Sequence, residues 1–357
     1  MQLSRRKLVA GVAASAVPFR PASGNTSRNL YLSGCRLADG NMAAALFDEA
    51  GEMLLLEPLD ARAHGGAVSP DRQSAVLFAR RPGRFAVVID VDRAERVAAF
   101  APPAGRRFQG HGAFSADGTI LYCAENDFDA ERGVVGLYDA TNGFARLGEF
   151  ATYGVGPHEL CLLSDGETLA VANGGIATHP DFPRMKLNLA SMAPSLVLLR
   201  ASDGELIEKA TLPTALHQVS IRHIAEGRRG EIWFGAQYEG PVGDAVPLVG
   251  TLSEAAGLTF AEADERTFAS LNQYVGSVAV SRDGETAITT SPRGGVALEW
   301  ETATRTVRQV HQMRDVCGAA PRGPSGLLLT AGSGQAAHLD AELFRAPHAW
   351  DNHVTAI

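Results

Sequence analysis

Apolar residues along this chain fall in short runs broken by Gly, Pro, Asp and Ser, and the runs recur as a unit. One unit reads Gly110-His111-Gly112-Ala113-Phe114, a Ser115-Ala116-Asp117-Gly118 turn, then Ile120-Leu121-Tyr122-Cys123-Ala124. Others start at His64, at Gly156-Pro157-His158 and at Val275-Gly276. Each is an apolar strand, a turn of Ser-x-Asp-Gly type and a second apolar strand. Asp-Gly supplies the positive-φ positions that a tight hairpin needs. The turn varies, since Ser164 is followed directly by Asp165, and Asp71 by Arg72.

Two further strands follow in each unit, as at Phe85–Val91 and Arg96–Phe100, and four antiparallel strands per repeat make a propeller blade. His64, His111 and His158 lie 47 residues apart, a period that predicts seven blades. Less regular units begin near His217 and at Cys317-Gly318. The final His353–Ile357 reads as an isolated first strand, and Asn29–Gly34, Ala43–Asp48 and Glu52–Glu57 as the other three strands of the same blade. The fold class is therefore all-β: a seven-bladed β-propeller of four-stranded antiparallel blades, the last closed by both termini. Length alone suggests two domains, but a repeat overrides that prior. A pair of β-sandwiches is the competing fold.

The domain reading is a signal peptide over 1–24 and one propeller over 25–357. Ser4-Arg5-Arg6-Lys7-Leu8 precedes an apolar run from Leu8 to Phe19, the pattern of a twin-arginine export signal. The run is too short to span a bilayer, so no membrane insertion is expected after its removal and the location expected is the periplasm. The chain carries 32 basic and 40 acidic residues, and four of the basic ones lie in the signal. A body this acidic argues against nucleic acid as a partner. Cys35, Cys123, Cys161 and Cys317 form no CxxC pair and no disulfide framework.

In a propeller the first strand of each blade lines the central channel. Register gathers His64, His111, His158, His217, His353 and Cys317 at one mouth, with Arg222 and His223 near the same strand of blade four. Neutral imidazole suits Fe, Cu or Zn, and a thiolate would bias towards Cu or Zn. The metal candidates are His111, His158, His217, His223 and Cys317. A seven-bladed ring is expected to be wide, so that only neighbouring blades share an ion; capping of turns by each His is the structural alternative. Residues ending the second strands should join the same face: Glu125, Asn126, Asp127, Asn173, Gln237 and Arg293. An insertion after Asn173, residues 174–196, adds His179, Asp181, Arg184, Lys186 and Asn188, and long loops on rigid scaffolds often carry function. The ligand candidates are thus Glu125, Asn126, Asp127, Asn173, His179, Arg184, Lys186, Asn188, Arg222 and Arg293. A salt-bridged rim holding the blades in register is the competing reading.

The stretches GHGAFSADGTILYCAEND, GPHELCLLSDGETLAVANGGIATHPD and RMKLNLASMAPSL, with SIRHI, SPRGG and DVCGAA, are similar to a family of twin-arginine-exported bacterial propellers of unknown function. The resemblance covers essentially the whole mature chain. It implies a setting beside imelysin-like and di-haem periplasmic proteins in iron acquisition, and carries no catalytic residues over. The reading preferred is a non-catalytic periplasmic propeller that binds a metal, a metal chelate or a partner protein. A scaffold for those partners ranks second. An enzyme ranks third, either a metal-dependent lactonase-like hydrolase using Glu125, Asp127 and Asn173 or a redox subunit. No CxxCH haem motif, phosphate-binding Gly loop or Gly-x-Ser-x-Gly elbow is present.

Overall fold

A computed structural model describes residues 28–81, 83–182 and 185–357. The export segment and Arg184 fall outside them. The described residues form seven four-stranded antiparallel sheets. Six are consecutive: blade 1 (63–100), blade 2 (106–151), blade 3 (157–211), blade 4 (219–260), blade 5 (277–312) and blade 6 (316–345). Blade 7 pairs the first strand Ala349–Ala356 with three strands from 30–59. The ring closes as the sequence predicts, Tyr31 opposite Ala356 and the Ser33 hydroxyl donating to the His353 carbonyl at 2.6 Å.

The strands differ by depth. Second strands such as Ser74–Ala79 and Thr168–Asn173 are almost wholly buried, because neighbouring blades cover both their faces. That is why they read as continuous apolar runs. Fourth strands such as Leu206–Thr211 alternate, as outer edges half in water do. Apolar clusters fill the gaps between blades, with Trp233 and Trp300 meeting between blades 4 and 5.

The hairpin motif works through its own side chains. Ser115 donates to Asp117 at 2.6 Å and Asp117 accepts from the Thr119 amide; Ser69–Asp71 and Ser281–Asp283 repeat this. Blade 3 departs: Ser164 donates to Glu226 of blade 4, tying two blades together. First strands run from one face of the ring, here the loop face, to the face holding these hairpins. Each packs against the first strands on either side and so walls the channel. The insertion leaves the loop face. Asn188 secures it, accepting from the Ala177 amide at 2.7 Å and donating to the Gly175 carbonyl at 2.9 Å.

Candidate functional site

The first strands are not regular where they pass the axis. Register breaks between Ala63 and Gly66, Phe108 and Gly112, Pro157 and Glu159, and Ile221 and His223. In blade 7 it breaks where Cys35 pairs Trp350 and Ser33 pairs Val354. A bulge bends its strand and re-aims a side chain. Each of these five bulges carries a histidine: His64, His111, His158, His223 and His353.

All five imidazoles meet inside the channel. Ring centroids lie 4.6 Å apart for His64 and His353, 4.7 Å for His111 and His353, 4.7 Å for His158 and His223, and 4.7 Å for His223 and His353. The expected wide ring is thus corrected: bulges from five blades bring side chains of non-adjacent blades together. Two glycines permit the approach. A Cβ on Gly65 would stand 2.5 Å from His111 Nδ1, and one on Gly110, whose φ is +102°, would strike the His64 ring.

The cluster is electrically unusual. Burial, reinforced by the neighbouring imidazoles, holds His64, His158 and His353 well below the ordinary value of 6.5, so these rings are neutral. Burial also lowers His223, against the pull of Glu159. Four nitrogens, His64 Nδ1, His111 Nε2, His158 Nδ1 and His353 Nε2, are buried with no hydrogen-bond partner. Such groups ordinarily find one. Glu159 reaches in from blade 3, with Oε2 3.0 Å from His223 Nδ1 and Oε1 3.3 Å from His111 Nδ1. Burial alone would raise its pKa, but the two histidines outweigh that and hold the carboxyl well below its usual range. A carboxylate on Nδ1 leaves Nε2 as a lone pair facing inward, the orienting contact that metal-ligating histidines use.

Two overlapping triads, His64–His111–His353 and His111–His158–His223, place one nitrogen each within 4.8 Å of the others. Tetrahedral ligands about 2.1 Å from an ion stand about 3.4 Å apart, so rings closing by roughly an ångström would grip one. Nitrogen-only and partly unpartnered, with His64, His158 and His353 neutral, the donors fit Fe, Cu or Zn. Blades 5 and 6 present Ser277, Ala279 and Ala319 instead of histidines. They leave a cavity of about 390 Å³ that reaches His111, Glu159 and His353 from the hairpin face.

The other sequence candidates separate. His217 caps the C-terminal end of a short 3-10 segment before blade 4, with Nδ1 3.0 Å from the Thr214 carbonyl, and is not in the cluster. Cys317 is buried, its thiol donating to the Asp351 carbonyl at 3.0 Å and pushed up in pKa by burial. Glu125 and Asp127 are bound within blade 2 to Arg146 and to Arg106 and Arg132. Asn173 donates to the Thr152 carbonyl at 2.9 Å and to Ser195. Asn126 donates to Thr178 and, with His179, lines a separate cavity of about 180 Å³ under the insertion. Lys186 and Arg222 converge on Glu239. Arg293 stacks over Tyr274, 4.4 Å from its ring centre. The single polar face expected from register is therefore several sites. Glu159 escaped sequence reasoning, although one signal exists: it follows His158 where Gly65 follows His64 and Gly112 follows His111.

A family model described as "Protein of unknown function (DUF1513)" matches residues 57–357. No curated protein matches the chain. Among solved structures, a chain of Kuenenia stuttgartiensis hydrazine synthase is similar at a TM-score of 0.62 and 14% identity, covering 92% of this chain and 99% of that one. At that identity the likeness is one of fold.

Proposed function

We propose a function for a chain that belongs to the DUF1513 family of proteins of unknown function: it holds a transition-metal ion on the axis of its propeller through buried imidazoles, and does so in the periplasm in the service of iron handling. The observation that carries this reading is four buried, unpartnered imidazole nitrogens on five facing rings, two of which, His111 and His223, are oriented by Glu159. Capping of turns would have used those nitrogens on backbone. Export is supported by the Arg5-Arg6 signal, and iron, among the metals imidazole suits, by the family resemblance. In that setting its partners are imelysin-like and di-haem periplasmic proteins. The lactonase-like alternative is disfavoured, because Glu125 and Asp127 are already neutralised by arginines and Asn173 bonds inside the blade boundary.

The test is elemental analysis of untagged protein recovered from the periplasm, followed by titration of the stripped protein with Fe, Cu and Zn. About one equivalent is expected, lost in the His111→Ala, His353→Ala double variant, with Glu159→Gln lowering affinity about 10–100-fold. Protein that is metal-free as isolated and takes up none of the three ions would overturn the proposal.

A further inference from the structure

The loop face of the channel carries positive charge that the protein neutralises only in part. Arg80 and Arg81 follow the second strand of blade 1, Arg107 opens blade 2, Arg222 lies in the first strand of blade 4, and Lys186 hangs from the insertion. Lys186 and Arg222 share one carboxylate, Glu239, with Arg222 Nη2 at 2.9 Å from it. Among the described residues Arg80, Arg81 and Arg107 form no ion pair within 4.0 Å. Arg107 lies over the Phe128 ring at 5.5 Å, and its Nε is buried without a hydrogen-bond partner.

Arg81, Lys186, Arg222 and His158 line one concavity with Gln109 and Ser220, and no carboxylate lines it. Solvent reaches Arg81, yet protein surrounds it closely enough that burial, then Arg107 and Arg80, lowers its pKa. Guanidinium and ammonium groups are donors only. Like charges held together in partly desolvated surroundings repel unless an anion sits among them. The cavity measures about 90 Å³, room for a group the size of one carboxylate or phosphate.

We infer that this mouth is a binding site for an oxyanion group, carboxylate or phosphate, clamped by Arg81 and Arg222 and drawn in by Lys186. The planar guanidinium fork of Arg81 suits two-oxygen recognition; Arg222, whose Nε donates to Ser220 at 3.2 Å and Nη2 to Glu239 at 2.9 Å, offers Nη1, and the lysine adds a point charge. The site stands on its own charges and does not require the metal reading, although His158 borders both. It also gives the two ends of the channel different roles: an anion enters past the arginines, while the hairpin face leads to Glu159.

Calorimetric titration of the full mature protein with inorganic phosphate and with citrate tests this, before and after EDTA treatment. Binding is expected in both states, weakened by added salt, with Arg81→Gln and Lys186→Gln each raising Kd about tenfold or more. Both variants should fold, since Arg81 has no ion pair to lose and Lys186 is exposed; circular dichroism checks this. Phosphate or citrate alone binding identifies which oxyanion the site takes, and either upholds it. Absence of binding to both probes overturns the inference. So does binding that is indifferent to both variants. Binding that disappears with EDTA places the anion on the metal and overturns this site while leaving the metal proposal intact; anion binding by a protein that never holds metal does the reverse.

Discussion

Blade 2 and the channel it borders both bury ionisable side chains, and they handle desolvation in opposite ways. In the blade, Glu125, Asp127 and Glu149 face Arg106, Arg132 and Arg146 in one network. Glu125, fully buried, accepts from the Tyr138 hydroxyl at 2.5 Å and from Arg146 Nη1 at 2.8 Å. Three carboxylates meet three guanidinium groups, and nothing is left over for a ligand. On the axis five imidazoles meet one carboxylate, and four of their nitrogens have no partner. A closed network keeps strands in register; the open one leaves nitrogens that the chain does not itself satisfy. Residue type does not separate the two, because both read in the sequence as polar residues near a channel. What separates them is whether each group's partner is already present.

Breaking each network in turn sharpens that contrast. Arg146→Ala leaves Glu125 as an unpaired buried charge, and denaturant unfolding should show a loss of about 3–5 kcal/mol, with metal content unchanged. Loss of metal in that variant would mean that the two regions are one site. The channel should respond to acid instead. The unfolded chain protonates His64, His158 and His353 below about 6.5, whereas the folded channel, with their values lowered, refuses those protons. Protons bound preferentially by the unfolded state favour unfolding as pH falls. Metal-free protein should therefore be level in stability between about pH 7 and pH 8. It should lose up to about 4 kcal/mol per pH unit below 6.5, three protons at about 1.4 kcal/mol each. Unfolding curves between about pH 8 and pH 5 check this, and bound metal should remove much of the dependence. The smallest effect is expected from His217→Ala, within about 0.5 kcal/mol in stability and nothing in metal content, because that ring bonds to the Thr214 carbonyl of its own turn.

The architecture was legible because it repeats. The 47-residue spacing of His64, His111 and His158 marks the blades, and the terminal strands pair as their patterns require. The same spacing misled in blade 4. The insertion in blade 3 breaks the period, and His217 stands nearer the expected position than His223, which the bulge at Ile221–His223 turns inward. Bulges have no signature in an apolar run, so register could gather the histidines at one mouth but could not show their close approach across non-adjacent blades, nor the role of Glu159. Glu125 and Asp127 were misplaced for a different reason. Their partners lie up to 21 residues away in sequence, Arg106 and Arg132 directly opposite Asp127 across strands, and only the strand register brings them together.

The strand that closes the ring, Ala349–Ala356, follows every other strand in the chain and also delivers His353. Ribosomal synthesis therefore makes His64, His111, His158 and His223 long before their fifth companion, and the first triad stays incomplete until Tyr31 has found Ala356. An ion gripped by His353 and His64 would then act as a latch across the seam of the ring. Its uptake would report that the propeller had finished folding.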